Sequence, residues 1–133
     1  NVETDVTIGA YLNHLARKNN TLYTVASGDE PGVCKMLYEQ AVLMGFEVVC
    51  VGKCKNNPVD FDATPENCAE EAASKDMNPK VLASFRDGTK TMVEMAVVSN
   101  STGLVTDIPG MHGPRVELED LLRFFIPEND GGS

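Results

Sequence analysis

The sequence predicts an α/β fold: a helix-rich single domain with a small parallel sheet built on one βαβ unit. Three observations point there. A chain of 133 residues, 42% apolar and 23% charged, suits one globular domain with a core of its own. Residues 21–26 (Thr-Leu-Tyr-Thr-Val-Ala) and 46–51 (Phe-Glu-Val-Val-Cys-Val) are rich in β-branched and aromatic side chains and are strand-length. A helical stretch lies between them, and strand, helix, strand within about thirty residues implies parallel strands with a right-handed crossover.

The elements follow in order. A first helix is expected after Thr7, an N-cap candidate, with Ile8, Tyr11, Leu12 and Leu15 on one side and Asn19-Asn20 stopping it. His14 lies one position off that stripe and reads as a surface residue. The first predicted strand runs into Ser27-Gly28-Asp29-Glu30-Pro31-Gly32, a turn with acidic caps and a proline suited to the first helical turn. The helix that follows carries Val33, Leu37, Ala41 and Met44 along one face and closes at Gly45. After the second strand, Thr64-Pro65-Glu66 starts a short alanine-rich helix, and Asn78-Pro79 starts a further turn or two. Residues 87–102 are expected to form the longest helix, closed by Gly103. Residues 104–114 contain two glycine-rich turns with room for one short strand, and residues 116–125 form a last helix with Leu118, Leu121, Leu122 and Phe125 as its apolar side.

Charge narrows the function. Twenty acids against eleven bases give −9, which opposes a phosphate-backbone partner, so no nucleic acid is expected. Six carboxylates and one lysine crowd residues 60–76, a solvated acidic face, whereas residues 50–57 hold Lys53 and Lys55 without an acid. No apolar run approaches a bilayer span or a secretory signal, so no membrane partner is expected. Cys34, Cys50 and Cys68 sit at apolar positions, and Cys50-x3-Cys54 has no matching pair. The four cysteines read as reduced thiols of a cytoplasmic protein rather than disulfides or a zinc site.

Three segments offer chemistry. In the stretch from Asp87, apolar side chains wrap most of the helix, while Asp87, Lys90 and Glu94 share one stripe. Either Asp87 caps the helix and Lys90 pairs with Glu94 on the surface, or the stripe faces a wet cleft where a lysine near carboxylates shuttles a proton. Gly52-Lys53-Cys54-Lys55-Asn56-Asn57-Pro58 follows the second strand, where α/β units bind ligands; it is a solvated basic loop or a hold for a carboxylate, phosphate or carbonyl oxygen. The turn holding Asp29 and Glu30 leaves the first strand at the same end, so acids and lysines should converge, unless those acids only cap the helix. His112 lies in Gly110-Met111-His112-Gly113-Pro114, a loop histidine or a catalytic one. No Gly-x-Gly-x-x-Gly or phosphate-binding loop occurs, so no nucleotide fingerprint is present.

Gly28-Asp29-Glu30-Pro31-Gly32, residues 52–58, residues 87–95 and residues 110–114, in this order, resemble the homoserine-dehydrogenase-like oxidoreductases that carry a C-terminal SAF domain. The resemblance covers about Val2 to Gly132 and departs at Cys54, where the family pattern has glycine. It implies a three-part enzyme: an N-terminal Rossmann domain holding NAD or NADP, a central catalytic and dimerisation domain, and the SAF domain. Residues 1–133 resemble the central part alone. Without an initiator methionine, and ending in Asp130-Gly131-Gly132-Ser133, the chain is expected to be an excised domain, inactive by itself.

The roles that follow from the resemblance are these. Lys90 transfers the proton, Lys53 and Lys55 orient the substrate or polarise its oxygen, and Glu94 and Asp87 tune Lys90. Asp29, Glu30, Asn56, Asn57 and His112 contact a small polar oxo or hydroxy substrate. The full-length protein is expected to be a homo-oligomer. The family also resembles 1-deoxyxylulose-5-phosphate reductoisomerase, whose chemistry needs a divalent metal; Asp29 and Glu30 are then the metal ligands. A non-catalytic ligand-sensing or assembly domain is the third reading.

Overall fold

Side-chain caps set two of the helix starts. The structure, a computed structural model, describes residues 2–24, 28–106 and 108–130. Six α-helices occur among them: α1 Val2–Lys18, α2 Glu30–Leu43, α3 Ala69–Ser74, α4 Pro79–Arg86, α5 Thr89–Thr102 and α6 Leu121–Phe124. Asp29 accepts the Glu30 backbone N–H and Asn78 accepts that of Lys80, and a proline follows in the first turn of α2 and α4. At the end of α2 the N–H groups of Gly45 and Phe46 return to the carbonyls of Val42 and Ala41, with Gly45 at φ +88°. α1 begins well before the expected cap: Thr7 lies inside it and donates to the Glu3 carbonyl at 2.5 Å.

α5 is the central element and packs against α1, α2 and α4. Its Met95, Val97 and Val98 are buried, as is Ala16 of α1, in line with the apolar wrap read from the sequence. α1 is nonetheless the longer helix, 17 residues against 14. A second apolar cluster joins α3 and α4 through Ala63, Cys68, Ala72, Leu82 and Ala83, with Met77 against it. Covering a leucine such as Leu82 stabilises by about 2 kcal/mol.

Gly88 turns the chain from α4 into α5 at φ +84°. A Cβ there would meet Met92 Cε at 3.6 Å and Val59 Cγ1 at 3.8 Å, ordinary contacts, so the cost of adding one is conformational. Gly88→Ala is expected to lower stability by about 1 kcal/mol in urea unfolding, without loss of helical circular dichroism.

The expected parallel sheet does not form. No strand occurs among the described residues; Val25 and Ala26 of the first candidate strand lie outside them. Residues 21–24 and 46–51 carry no ladder, and several of their apolar side chains stay open, Leu22 93% exposed and Phe46 and Val49 largely so, while Tyr23, Val48 and Val51 are half-buried. A strand-forming composition becomes a strand only where a partner supplies hydrogen bonds and a face to pack on, and two segments alone do not provide a stable sheet. The Tyr23 hydroxyl instead donates to the buried Asp5 carboxylate on α1. Gly9 allows that approach, since a Cβ there would stand 3.0 Å from the Tyr23 oxygen. The fold is therefore helical, not α/β.

Smaller departures follow the same logic. Thr64 and Asn67 cap each other's backbone, and this turn precedes α3, which starts at Ala69. Residues 104–106 and 108–114 form no strand, and the last helix shrinks to a 3-10 turn at Leu118–Asp120 followed by α6, with Leu118 and Leu122 exposed. The apolar α2 face is open at Val33, Leu37 and Met44. None of the four cysteines is in a disulfide; Cys68 is buried and Cys34 half-buried, but Cys50 is exposed, so it does not act as a core residue here. No helix is long and apolar enough to cross a membrane.

Candidate active site

Because α5 is enclosed on several sides, a charged residue at its middle is removed from water. Glu94 is 2% exposed, and a carboxylate so placed needs cationic partners. It has two. Lys53 reaches one carboxylate oxygen from the loop after residue 51, and Lys90, one helical turn before Glu94, reaches the other. Lys53 also lies 3.1 Å from Glu30 at the start of α2. The Lys90 ammonium sits 5.3 Å from the centre of the Phe85 ring, a cation–π contact that holds it over the α4–α5 corner.

The loop carrying Lys53 and Lys55 is tied at four points. The Cys34 thiol of α2 lies 3.9 Å from the Gly52 carbonyl, Lys53 is held by Glu94 and Glu30, and Lys55 donates to the Phe85 carbonyl. The Asp60 N–H then bonds the Arg86 carbonyl at 2.9 Å. Thus the loop crosses from the start of α2, over Glu94, to the last turn of α4. There Lys55 satisfies a terminal helix carbonyl with favourable charge.

Burial alone would push the Lys53 ammonium down, but the Glu94 and Glu30 carboxylates outweigh it and hold Lys53 above the ordinary lysine range. Burial lowers Lys55, with Asp87 opposing and Lys53 reinforcing the shift. The Glu30 carboxyl is held at about 2, first by its hydrogen bond with the Asp29 side chain and then by Lys53. Burial raises the Cys34 thiol, and the Glu30 and Glu94 charges add to this while Lys53 opposes it. The centre is therefore two firmly charged groups, Lys53 and Glu30, beside a lysine that releases its proton more readily.

A cavity of about 400 Å³ opens beside Glu30, lined by Gly28, Asp29, Glu30, Val33 and Cys34. A second, about 480 Å³, lies along the first turn of α1 and the Asp5–Tyr23 pair, and Asp29 borders both. Of the residues singled out from the sequence, Lys53, Lys90, Glu94 and Glu30 thus meet in one cluster. Asp29 joins them at the cavity, where its carboxylate also caps α2. Asp87 stands at the neighbouring corner, one oxygen accepting from the Thr89 N–H at 2.8 Å and the Thr89 hydroxyl at 2.7 Å, as the capping alternative anticipates. Asn56 and Asn57 form the exposed bend of the lysine loop, and His112 is exposed in the loop beyond α5; neither cavity is lined by these three. Phe85 and Cys34 were not foreseen as neighbours of the lysines. No charge or motif marks either one, and contacts between residues remote in sequence bring them in.

The matched family model now bears on this geometry. Described as oxidoreductase DRL, catalytic domain, it covers residues 28–133, from the glycine at the cavity edge through α2, the lysine loop and α5. The chain belongs to the DRL oxidoreductase catalytic-domain family. Among curated proteins, no significant match is found. The DRL match includes every residue of the Lys53–Glu94–Lys90 cluster and leaves the whole of α1 outside.

Could this DRL site hold a divalent ion? Ligand oxygens of Asp29, Glu30 and Glu94 lie within 4.8 Å of one another, a hard-oxygen set of the kind that suits Mg²⁺ or Mn²⁺. Yet both Glu94 oxygens are bound by ammonium groups, and Lys53 bridges Glu94 and Glu30. A dication would have to displace two like-charged lysines, so this arrangement does not fit a resident metal.

Proposed function

We propose that this DRL chain is the substrate-binding and proton-handling part of an NAD(P)-dependent, homoserine-dehydrogenase-like oxidoreductase. It acts on a small polar oxo or hydroxy substrate. The single observation that supports this most is the buried Glu94 carboxylate, which holds two lysines, one of them against Glu30 at the cavity edge. The nicotinamide, when bound, supplies or accepts hydride, and in this reading it is held by a Rossmann domain outside these residues. Lys53, kept charged by two carboxylates, polarises the substrate oxygen. Lys90 is 40% exposed and the more open of the two, and delivers or removes the proton there. Glu94 positions both lysines, and Asp29 contacts the substrate's remaining polar groups at the cavity edge. Lys55, which donates to the Phe85 carbonyl, orients the loop that carries Lys53. Cysteines outside disulfides suit a cytoplasmic enzyme.

The test uses the full-length enzyme and follows nicotinamide absorbance with a panel of small 2-oxo and 2-hydroxy acids and sugars. Lys90→Met is expected to reduce turnover about a hundredfold with substrate affinity little changed. Turnover untouched by that substitution would instead favour a ligand-sensing or assembly domain.

The grouping of Asp29, Glu30 and Glu94 favours a second reading, a metal-dependent reductoisomerase acting on 1-deoxyxylulose 5-phosphate or a similar sugar phosphate. The two lysines on Glu94 oppose it. Manganese is expected to bind the chain no more tightly than about millimolar in a titration followed by water-proton relaxation. Micromolar binding that disappears in Asp29→Asn would move the assignment to the reductoisomerase.

A further inference from the structure

Lys53 and Glu94 do not share the same freedom as Glu30. An ammonium group has three N–H donors. One of those on Lys53 goes to Glu94, enclosed at the middle of α5, and one to Glu30 at 3.1 Å. The Glu94 side chain has no room to leave. Glu30 is 48% exposed and lies at the first residue of α2. Its backbone is fixed there by the Asp29 cap while its side chain reaches back over the edge of the 400 Å³ cavity. The Lys53 face turned toward the cavity is thus covered by a residue that can swing into water at low cost, because half-exposed ion pairs contribute little.

The geometry points to Glu30 as an internal stand-in for the ligand: its carboxylate occupies the place on Lys53 that a substrate carbonyl or carboxylate oxygen takes, and it must withdraw for that oxygen to bind. This rests on the proposed role of Lys53 and makes Glu30 a specificity-determining residue. With Glu30 in place, its carboxylate fills the open side of Lys53 and weakly bound anions are rejected. With Glu30 turned away, Lys53 offers two donors to one entering oxygen or a pair of oxygens. A ligand with an oxo or carboxylate group competes well; one bearing only aliphatic groups does not displace Glu30.

Oxalate is a suitable probe because its oxygens reproduce the carboxylate that it would replace, and its binding needs no turnover. Calorimetric titration of the chain should give about fivefold tighter oxalate binding in Glu30→Gln than in the unsubstituted protein. The gain should vanish in Glu30→Gln combined with Lys53→Met. Glu30→Ser, which suits a helix start, gives the same comparison should the glutamine variant fold poorly. Oxalate affinity that is unchanged or weaker without Glu30, or a gain that persists without Lys53, overturns the inference. If oxalate binds tighter in Glu30→Gln while turnover ignores Lys90, the inference stands and the proposed reaction falls; the opposite pair of results removes only the inference.

Discussion

Replacing Glu94 with alanine is expected to lower the unfolding free energy by about 3 kcal/mol, read from urea titration of the chain. The carboxylate is enclosed by α5 and its neighbours and is the partner of both Lys53 and Lys90. Its removal leaves Lys53, only 15% exposed, with the solvent-facing Glu30 as its anchor, and opens a void where the side chain was. Burial of charge is costly chiefly when one partner is missing. For that reason the double substitution Glu94→Leu with Lys53→Met should recover much of the loss, whereas Glu94→Gln should retain packing and still forfeit a large part of it. If Glu94→Ala unfolds at the same urea concentration as the parent chain, the glutamate is not enclosed as described.

Lys53→Met in the full-length enzyme should reduce turnover by about a hundredfold to a thousandfold, a larger effect than any other single lysine, measured as the initial rate of nicotinamide oxidation. Methionine keeps most of the stem and removes the charge, so the fall reports the ammonium rather than the packing. In the same variant Glu30 and Glu94 would face each other with no cation between them, although Lys90 still neutralises one Glu94 oxygen. A partial return of rate on adding a small alkylammonium ion would identify the missing charge as the cause. Turnover within a factor of about two of the parent would remove Lys53 from the reaction.

Much of the site was legible in the chain. Asp87, Lys90 and Glu94 fall on one helical stripe, and the lysine loop stands out as the acid-free patch in an acidic chain. Helical spacing is local, so it foretold the Lys90–Glu94 pair at the right separation. It left open whether that pair lies on the surface or in a cleft, because this depends on what α5 packs against. The pairing of Lys53 with Glu94 links residues 41 apart and could not be read from spacing. The expectation that acids and lysines converge rested on two parallel strands pointing the same way. They converge without those strands, because the ties at Gly52, Lys55 and Asp60 lead the loop across α2, α5 and α4.

What the sequence by itself determined was therefore mostly local: helix caps at Asp29 and Asn78, stops at Gly45 and Gly103, an apolar central helix, and the stripe on it. Each depends on a few neighbouring residues, whose backbone hydrogen bonds and side-chain volumes are satisfied within a turn or two. Tertiary structure alone decided that residues 21–24 and 46–51 have no ladder, that Glu94 is buried between two lysines, and that Glu30 covers Lys53. A strand needs a neighbour and a buried charge needs a counter-charge, and both are supplied by parts of the chain remote in sequence.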